Sequence, residues 1–203
     1  MVRLTGTLVA VLGLWVVMSL PLVLGESSAS EVTERSIGDA EAPVTIIEYS
    51  SLTCPHCASF HNEVLPDLKE KYVDTGKVRM VFRDFPLNEP AVDAAVLAHC
   101  AGPDRYVGFL DVLFQTQASW ASSPDPREAL KQLGKLGGLD EGQMDACFND
   151  ESMVDGVLQS RLQGQNEHKV QSTPTFVING ETHAGNRSID EFSDIIDPLI
   201  GGS

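Results

Sequence analysis

The rhythm of apolar and polar positions changes several times along this chain, and each change predicts an element. Residues 8–24 are almost wholly apolar, with Arg3 the only side-chain charge ahead of them and Pro21 and Gly25 ending the run. That run predicts an export signal over 1–25, cut after Gly25 or Ala29, where small residues stand. An uncleaved anchor is the alternative, although the run is shorter than the roughly 20 residues of a full span. Residues 26–42 are small, polar and charged without an apolar period. They read as a polar tether, with one short strand near Arg35-Ser36-Ile37.

From there the pattern becomes that of a folded domain. Val44-Thr45-Ile46-Ile47-Glu48-Tyr49 is β-branched and mostly apolar, the composition of a buried central strand. A helix follows over about 55–73, with Phe60, Val64, Leu68 and Tyr72 on one face. Pro66 inside it should kink the helix, because its ring removes a backbone donor. Val78 to Arg83 alternates as a strand does, and a strand, helix and strand of this length predict a parallel pair with a right-handed crossover.

Residues 90–167 are helical in pattern throughout. The expected stripes are Val92, Ala95, Val96, His99 and Cys100; Tyr106, Phe109, Leu110, Leu113 and Phe114; Leu130, Leu133 and Leu136; Met144, Cys147 and Phe148; and Val154, Val157, Leu158 and Leu162. Asp125-Pro126-Arg127-Glu128 is a capping-box start. Strand character returns at Thr175 to Ile178, turns at Asn179-Gly180 and runs back over Glu181 to Ala184. Ser188 and Glu191 then open a last helix. The order is β-α-β, helical insertion, β-β-α. It divides the folded part into 43–89, the insertion at 90–167, and 168–203.

Composition narrows the function. The 29 acidic and 14 basic residues give a net charge of -15, with no basic cluster, which argues against nucleic acid and against docking on anionic lipid. A hydrophobic content of 42% supports a real core. The four cysteines are Cys54, Cys57, Cys100 and Cys147, and in an oxidising compartment an even number favours pairing.

Cys54-Pro55-His56-Cys57 lies where the central strand gives way to the helix, with Pro55 suited to the first helical position. Free N–H groups and the positive end of the helix dipole gather there and favour a thiolate, the nucleophilic form. Cys54 is therefore the expected exposed attacking sulfur and Cys57, one turn inside, its resolving partner. A protonated His56 would add positive charge beside them. A Cys-x-x-Cys pair also suits zinc, but no second pair accompanies it and no residue spacing suggests a metal. His61, His99, His168 and His183 are scattered and read as surface or capping residues.

Together with Thr173-Pro174 and the order of elements, this motif resembles the DsbA family of bacterial periplasmic thiol:disulfide oxidoreductases over roughly residues 35–200. The resemblance implies an α/β thioredoxin-like fold, a central mixed sheet flanked by helices, with an inserted all-helical subdomain. It also implies an acidic attacking thiol and a strongly oxidising disulfide, properties taken from the family and not from these residues. In such a fold Pro174 is cis and lies opposite the cysteines, and the backbone of Thr173 can pair with an extended substrate. Glu48, six residues before Cys54 in an otherwise apolar strand, matches an acid thought to relay a proton to the buried thiol.

Cys100 and Cys147 both occupy apolar stripes. They are expected either to bridge or to remain as two buried free thiols, and the compartment favours the bridge. The function implied is an exported oxidase, working without a cofactor as a periplasmic monomer. It would introduce disulfides into newly exported polypeptides and be reoxidised by a membrane partner of the DsbB kind. The alternatives are a disulfide isomerase or reductase on the same fold, and a chaperone-like peptide-binding module.

Overall fold

The computed structural model describes residues 34–201 and, apart from them, Val2. The signal or anchor segment at 1–25 lies outside this range apart from Val2, as does the tether up to residue 33. Among the described residues no helix is long and apolar enough to cross a membrane.

Five strands form one sheet in the order β1-β3-β2-β4-β5. They are β1 (Arg35–Ile37), β2 (Val44–Ser50), β3 (Val78–Asp84), β4 (Thr175–Ile178) and β5 (Glu181–Ala184). β2 and β3 are parallel and joined by a helix, as the strand-helix-strand spacing requires, and the other neighbours are antiparallel. At the hairpin between β4 and β5, Asn179 and Gly180 take φ of 45° and 93°, which suits the left-handed backbone of a two-residue turn. β2 is therefore central, and its alternate residues serve opposite faces. Val44, Ile46 and Glu48 face the main core, whereas Ile47 and Tyr49 pack with Phe85, Val170 and Val177 on the other side.

The helix after β2, here α1, is continuous over 55–73 but not uniform. Its α-helical turns, Pro55–Ser59 and Leu65–Leu68, alternate with wide π-helical turns at Phe60–Val64 and Lys69–Val73. The first wide turn runs up to Pro66, where the chain lacks a donor. Each wide turn takes an extra residue and shifts the helical phase. The buried face is consequently Phe60, His61, Leu65, Leu68, Tyr72 and Val73, and Val64 moves to the margin. The strict four-residue spacing expected for this helix gives way at this point. The last helix, α8 (Ile189–Ile200), opens on the Ser188–Glu191 capping box, with both reciprocal bonds present. It sends Phe192 against Phe60 and Phe176, with ring centroids 5.7 and 4.9 Å away.

Between β3 and β4 lies the helical insertion: α2 (Glu89–Cys100), α3 (Pro103–Gln115), α4 (Gln117–Trp120), α5 (Pro126–Leu136), α6 (Glu141–Phe148) and α7 (Glu151–Glu167). The stripe Tyr106, Phe109, Leu110, Leu113 and Phe114 is buried throughout. Two stripes differ from expectation. Leu136 is 86% exposed, because six helical positions past Leu130 it has rotated off the buried face. In α7 the buried face is Val157, Ser160 and Gly164, and Leu158 and Leu162 point outward. That helix packs through its small residues: a Cβ at Gly164 would lie 2.7 Å from a Tyr49 ring carbon. Cys100 of α2 and Cys147 of α6 are bonded, with Cα atoms 6.0 Å apart.

Candidate active site

The end of β2 and the start of α1 build the site. Cys54 is the N-cap residue, with extended backbone, and Pro55 occupies the first turn. The Cys57 and Ala58 N–H groups both donate to the Cys54 carbonyl. A second brace comes from the insertion. The buried Gln117 of α4 donates through Nε2 to the carbonyls of Leu52, at 2.8 Å, and Cys54, at 3.0 Å. The Cys54 carbonyl also accepts from α1, whereas the Leu52 carbonyl takes Gln117 as its donor, so the insertion helps to hold the loop in shape.

Thr173-Pro174 lies against this loop and its peptide bond is cis. As a thiol, Cys54 Sγ donates to the Thr173 carbonyl at 3.3 Å. This lid explains a departure from expectation: Cys54 is only 6% exposed, against 0% for Cys57, so the sulfur expected to be exposed is recessed beneath Thr173. Both cysteines are free thiols here.

Their environments drive them apart. The Cys57 thiol donates to Cys54, and this bond does most to bring the Cys54 thiol down to about 5. The backbone N–H groups of Cys57 and His56 add to it, and together they outweigh the opposing cost of desolvation. His56 thus reaches the sulfur through its backbone, while its ring is exposed. Cys57 is pushed far above the ordinary thiol range, first by burial, then by the hydrogen bond to Cys54 and the negative charge of Glu48. One sulfur is an anion at neutral pH and its neighbour is a thiol.

Glu48 lies beneath this pair, 0% exposed, on β2 between Phe82 of β3 and Phe176 of β4 in register. Its partner is a residue the sequence pattern placed at the surface. His61 Nε2 sits 3.1 and 3.0 Å from the two carboxylate oxygens of Glu48, and the residue is only 5% exposed. His99 departs from expectation in the same way. It is buried and its Nε2 lies 2.7 Å from Asp84. Both corrections have one cause: a histidine can enter a core when a carboxylate meets its ring, and sequence does not reveal that pairing. His61 did carry one signal, standing four residues after Cys57 and so one turn below it. Gln117 carried none. The Cys100–Cys147 bridge lies within the insertion, joining α2 to α6, and is not part of the constellation.

Residues 30–198 match the family described as thioredoxin. In structure the chain is similar to alpha-DsbA1 of Wolbachia pipientis, with a TM-score of 0.78 and 33% identity over 83% of this chain and 92% of that one. The chain belongs to the DsbA-like thiol–disulfide oxidoreductases. In sequence it is 37% identical over 165 residues to a Rickettsia felis protein named as a protein-disulfide oxidoreductase, covering 81% of this chain and 59% of that relative. The chain therefore spans about three fifths of the length of that relative. BdbD of Bacillus subtilis, in its oxidised form, shares the fold with a TM-score of 0.75 at 22% identity, over 83% of this chain and 94% of that one.

Proposed function

We propose that the chain is an exported dithiol oxidase that donates the Cys54–Cys57 disulfide to polypeptides carrying free thiols. The observation that carries this reading is the opposed state of the two sulfurs, with Cys54 held down to about 5 and Cys57 held protonated by burial. Stabilising the reduced pair in this way makes its disulfide a stronger oxidant.

A substrate thiolate attacks Cys54 Sγ, a substrate–Cys54 bond forms and the Cys54–Cys57 bond breaks. The electron pair stays on Cys57, which takes up a proton. A second substrate thiolate displaces Cys54, leaving the substrate oxidised and Cys54 as a thiolate. Glu48, buried and electrostatically coupled to Cys57, is suited to supply that proton. Thr173, beside the cis Pro174, offers backbone groups to an extended substrate without sequence preference. The Cys100–Cys147 bridge has a structural role.

Around this chemistry the reading adds a periplasmic location reached through the segment at 1–25, a tether at 26–42, action as a monomer, and reoxidation by a membrane protein of the DsbB kind. The folded parts are 43–89 and 168–203 around the insertion at 90–167. The test is Cys54→Ser: the variant should fail to oxidise a reduced, unfolded substrate, and undiminished oxidation would overturn the proposal.

A further inference from the structure

The Glu48–His61 pair has a feature that packing alone leaves unexplained. Its ring is fixed on every side: stacked on Phe114 of α3 at 4.0 Å and 25°, with Phe60 and Phe82 at 5.5 and 5.9 Å. Nε2 is committed to both oxygens of Glu48, yet Nδ1 is buried with no hydrogen-bond partner. Buried ring nitrogens are ordinarily paired, and Nδ1 of His99 shares this feature. What sets His61 apart is that its carboxylate partner is the buried acid acting on Cys57.

We infer that His61 is the group through which Glu48 exchanges its proton, so that Glu48 and His61 together supply the proton Cys57 gains when the disulfide opens and take it back when the disulfide is remade. This rests on the oxidase reading, with Glu48 as the nearer acid. The chemistry follows from what the pair can hold. With two protons it is a carboxylate against an imidazolium, or a carboxylic acid against a neutral ring. With one it is a carboxylate accepting from Nε2–H. On opening, the electron pair of the broken S–S bond stays on Cys57 and the pair passes it one proton. On remaking, the Cys57 proton returns to the pair as its sulfur bonds Cys54 and displaces the oxidant's sulfur.

The charged and titratable groups facing the pair are few. Cys57 lies on α1, and Asp111 and Tyr106 lie on α3. Asp111 is half-buried and feels the charge of His61, with Lys69 of α1 acting on it from farther off; Tyr106 is fully buried and feels Glu48 and Asp84. β3 contributes the apolar ring of Phe82. His61 is thus a positioning and proton-exchange residue that acts through Glu48.

The test follows reduced protein mixed with oxidised glutathione and quenched with acid at a series of pH values. Attack by Cys54 forms the glutathione mixed disulfide, and Cys57 then displaces glutathione. In the wild type the ratio of displacement to attack should change with pH through an inflection that the Glu48–His61 pair sets. In His61→Gln the inflection should vanish and the ratio at neutral pH fall by about tenfold or more. An unchanged profile in His61→Gln, with Glu48→Gln impaired, would overturn the role of His61 and leave that of Glu48. Unchanged profiles in both would overturn Glu48 as well. Ring-nitrogen resonances of His61 in the wild type serve where the variant fails to fold. They should differ between reduced and oxidised protein at one pH, and identical spectra would overturn the inference.

Discussion

Three positions separate Cys54 from Cys57, yet the fold gives them opposite chemistry. Cys54 takes the Cys57 thiol as a hydrogen-bond donor and the N–H groups of Cys57 and His56 beside it, whereas Cys57 is held as a thiol by burial. That contrast was legible in the sequence, because a Cys-x-x-Cys pair between a β-branched run and an amphipathic one fixes which sulfur begins the helix. The residues supporting it were not legible. Gln117 reaches Leu52 and Cys54 from 63 or more residues away, a contact no local pattern announces. Gln117→Leu would keep the volume and remove both bonds, leaving the Leu52 carbonyl without this donor while the Cys54 carbonyl keeps its helical ones. It should lower stability by about 1–3 kcal/mol in denaturant unfolding. It should also slow alkylation of Cys54, since the loop would no longer be held. A variant with wild-type stability and thiol reactivity would show that the loop needs no brace.

The elements were read well where the pattern is regular and poorly where the helical phase or the packing distance changes. α3 meets one core with a regular period, and β2 carries the nearly continuous apolar run of a strand buried on both faces. α1 escapes the pattern because its wide turns shift the phase, which brings His61 inward and sends Val64 to the margin. α7 escapes it for another reason. Close approach to Tyr49 selects small residues, and hydrophobicity is then a poor guide to which face turns inward. This closeness can be tested. Gly164→Ala would set a methyl 2.7 Å from the buried Tyr49 ring, and overpacking of this kind costs typically about 1–3 kcal/mol. A fall in the thermal midpoint is the expected result. The helix propensity of alanine would by itself raise it, so a rise would mean that α7 packs more loosely than described.

For the molecule as a whole, the Cys54 thiolate ties redox state to stability and pH. In the folded reduced protein Cys54 loses its proton at about 5, and in the unfolded chain near the ordinary thiol value of 9. Between those values the unfolded chain binds more protons, so the reduced protein gains stability as pH rises through this window and loses it as pH falls towards about 5. The disulfide form carries no such group. Denaturant unfolding of both forms across the window should show the reduced form's advantage growing with pH, and a gap independent of pH would contradict the account. The net charge of -15 keeps the surface acidic without marking a partner, so the chemistry rests on the local field at the helix start. The most direct measurement is therefore a titration of the Cys54 thiolate in the reduced protein, by ultraviolet absorbance and by the pH dependence of its alkylation. The account predicts a midpoint at about 5, with Cys57 unreactive throughout the neutral range. A midpoint at the ordinary thiol value of 9 would contradict it.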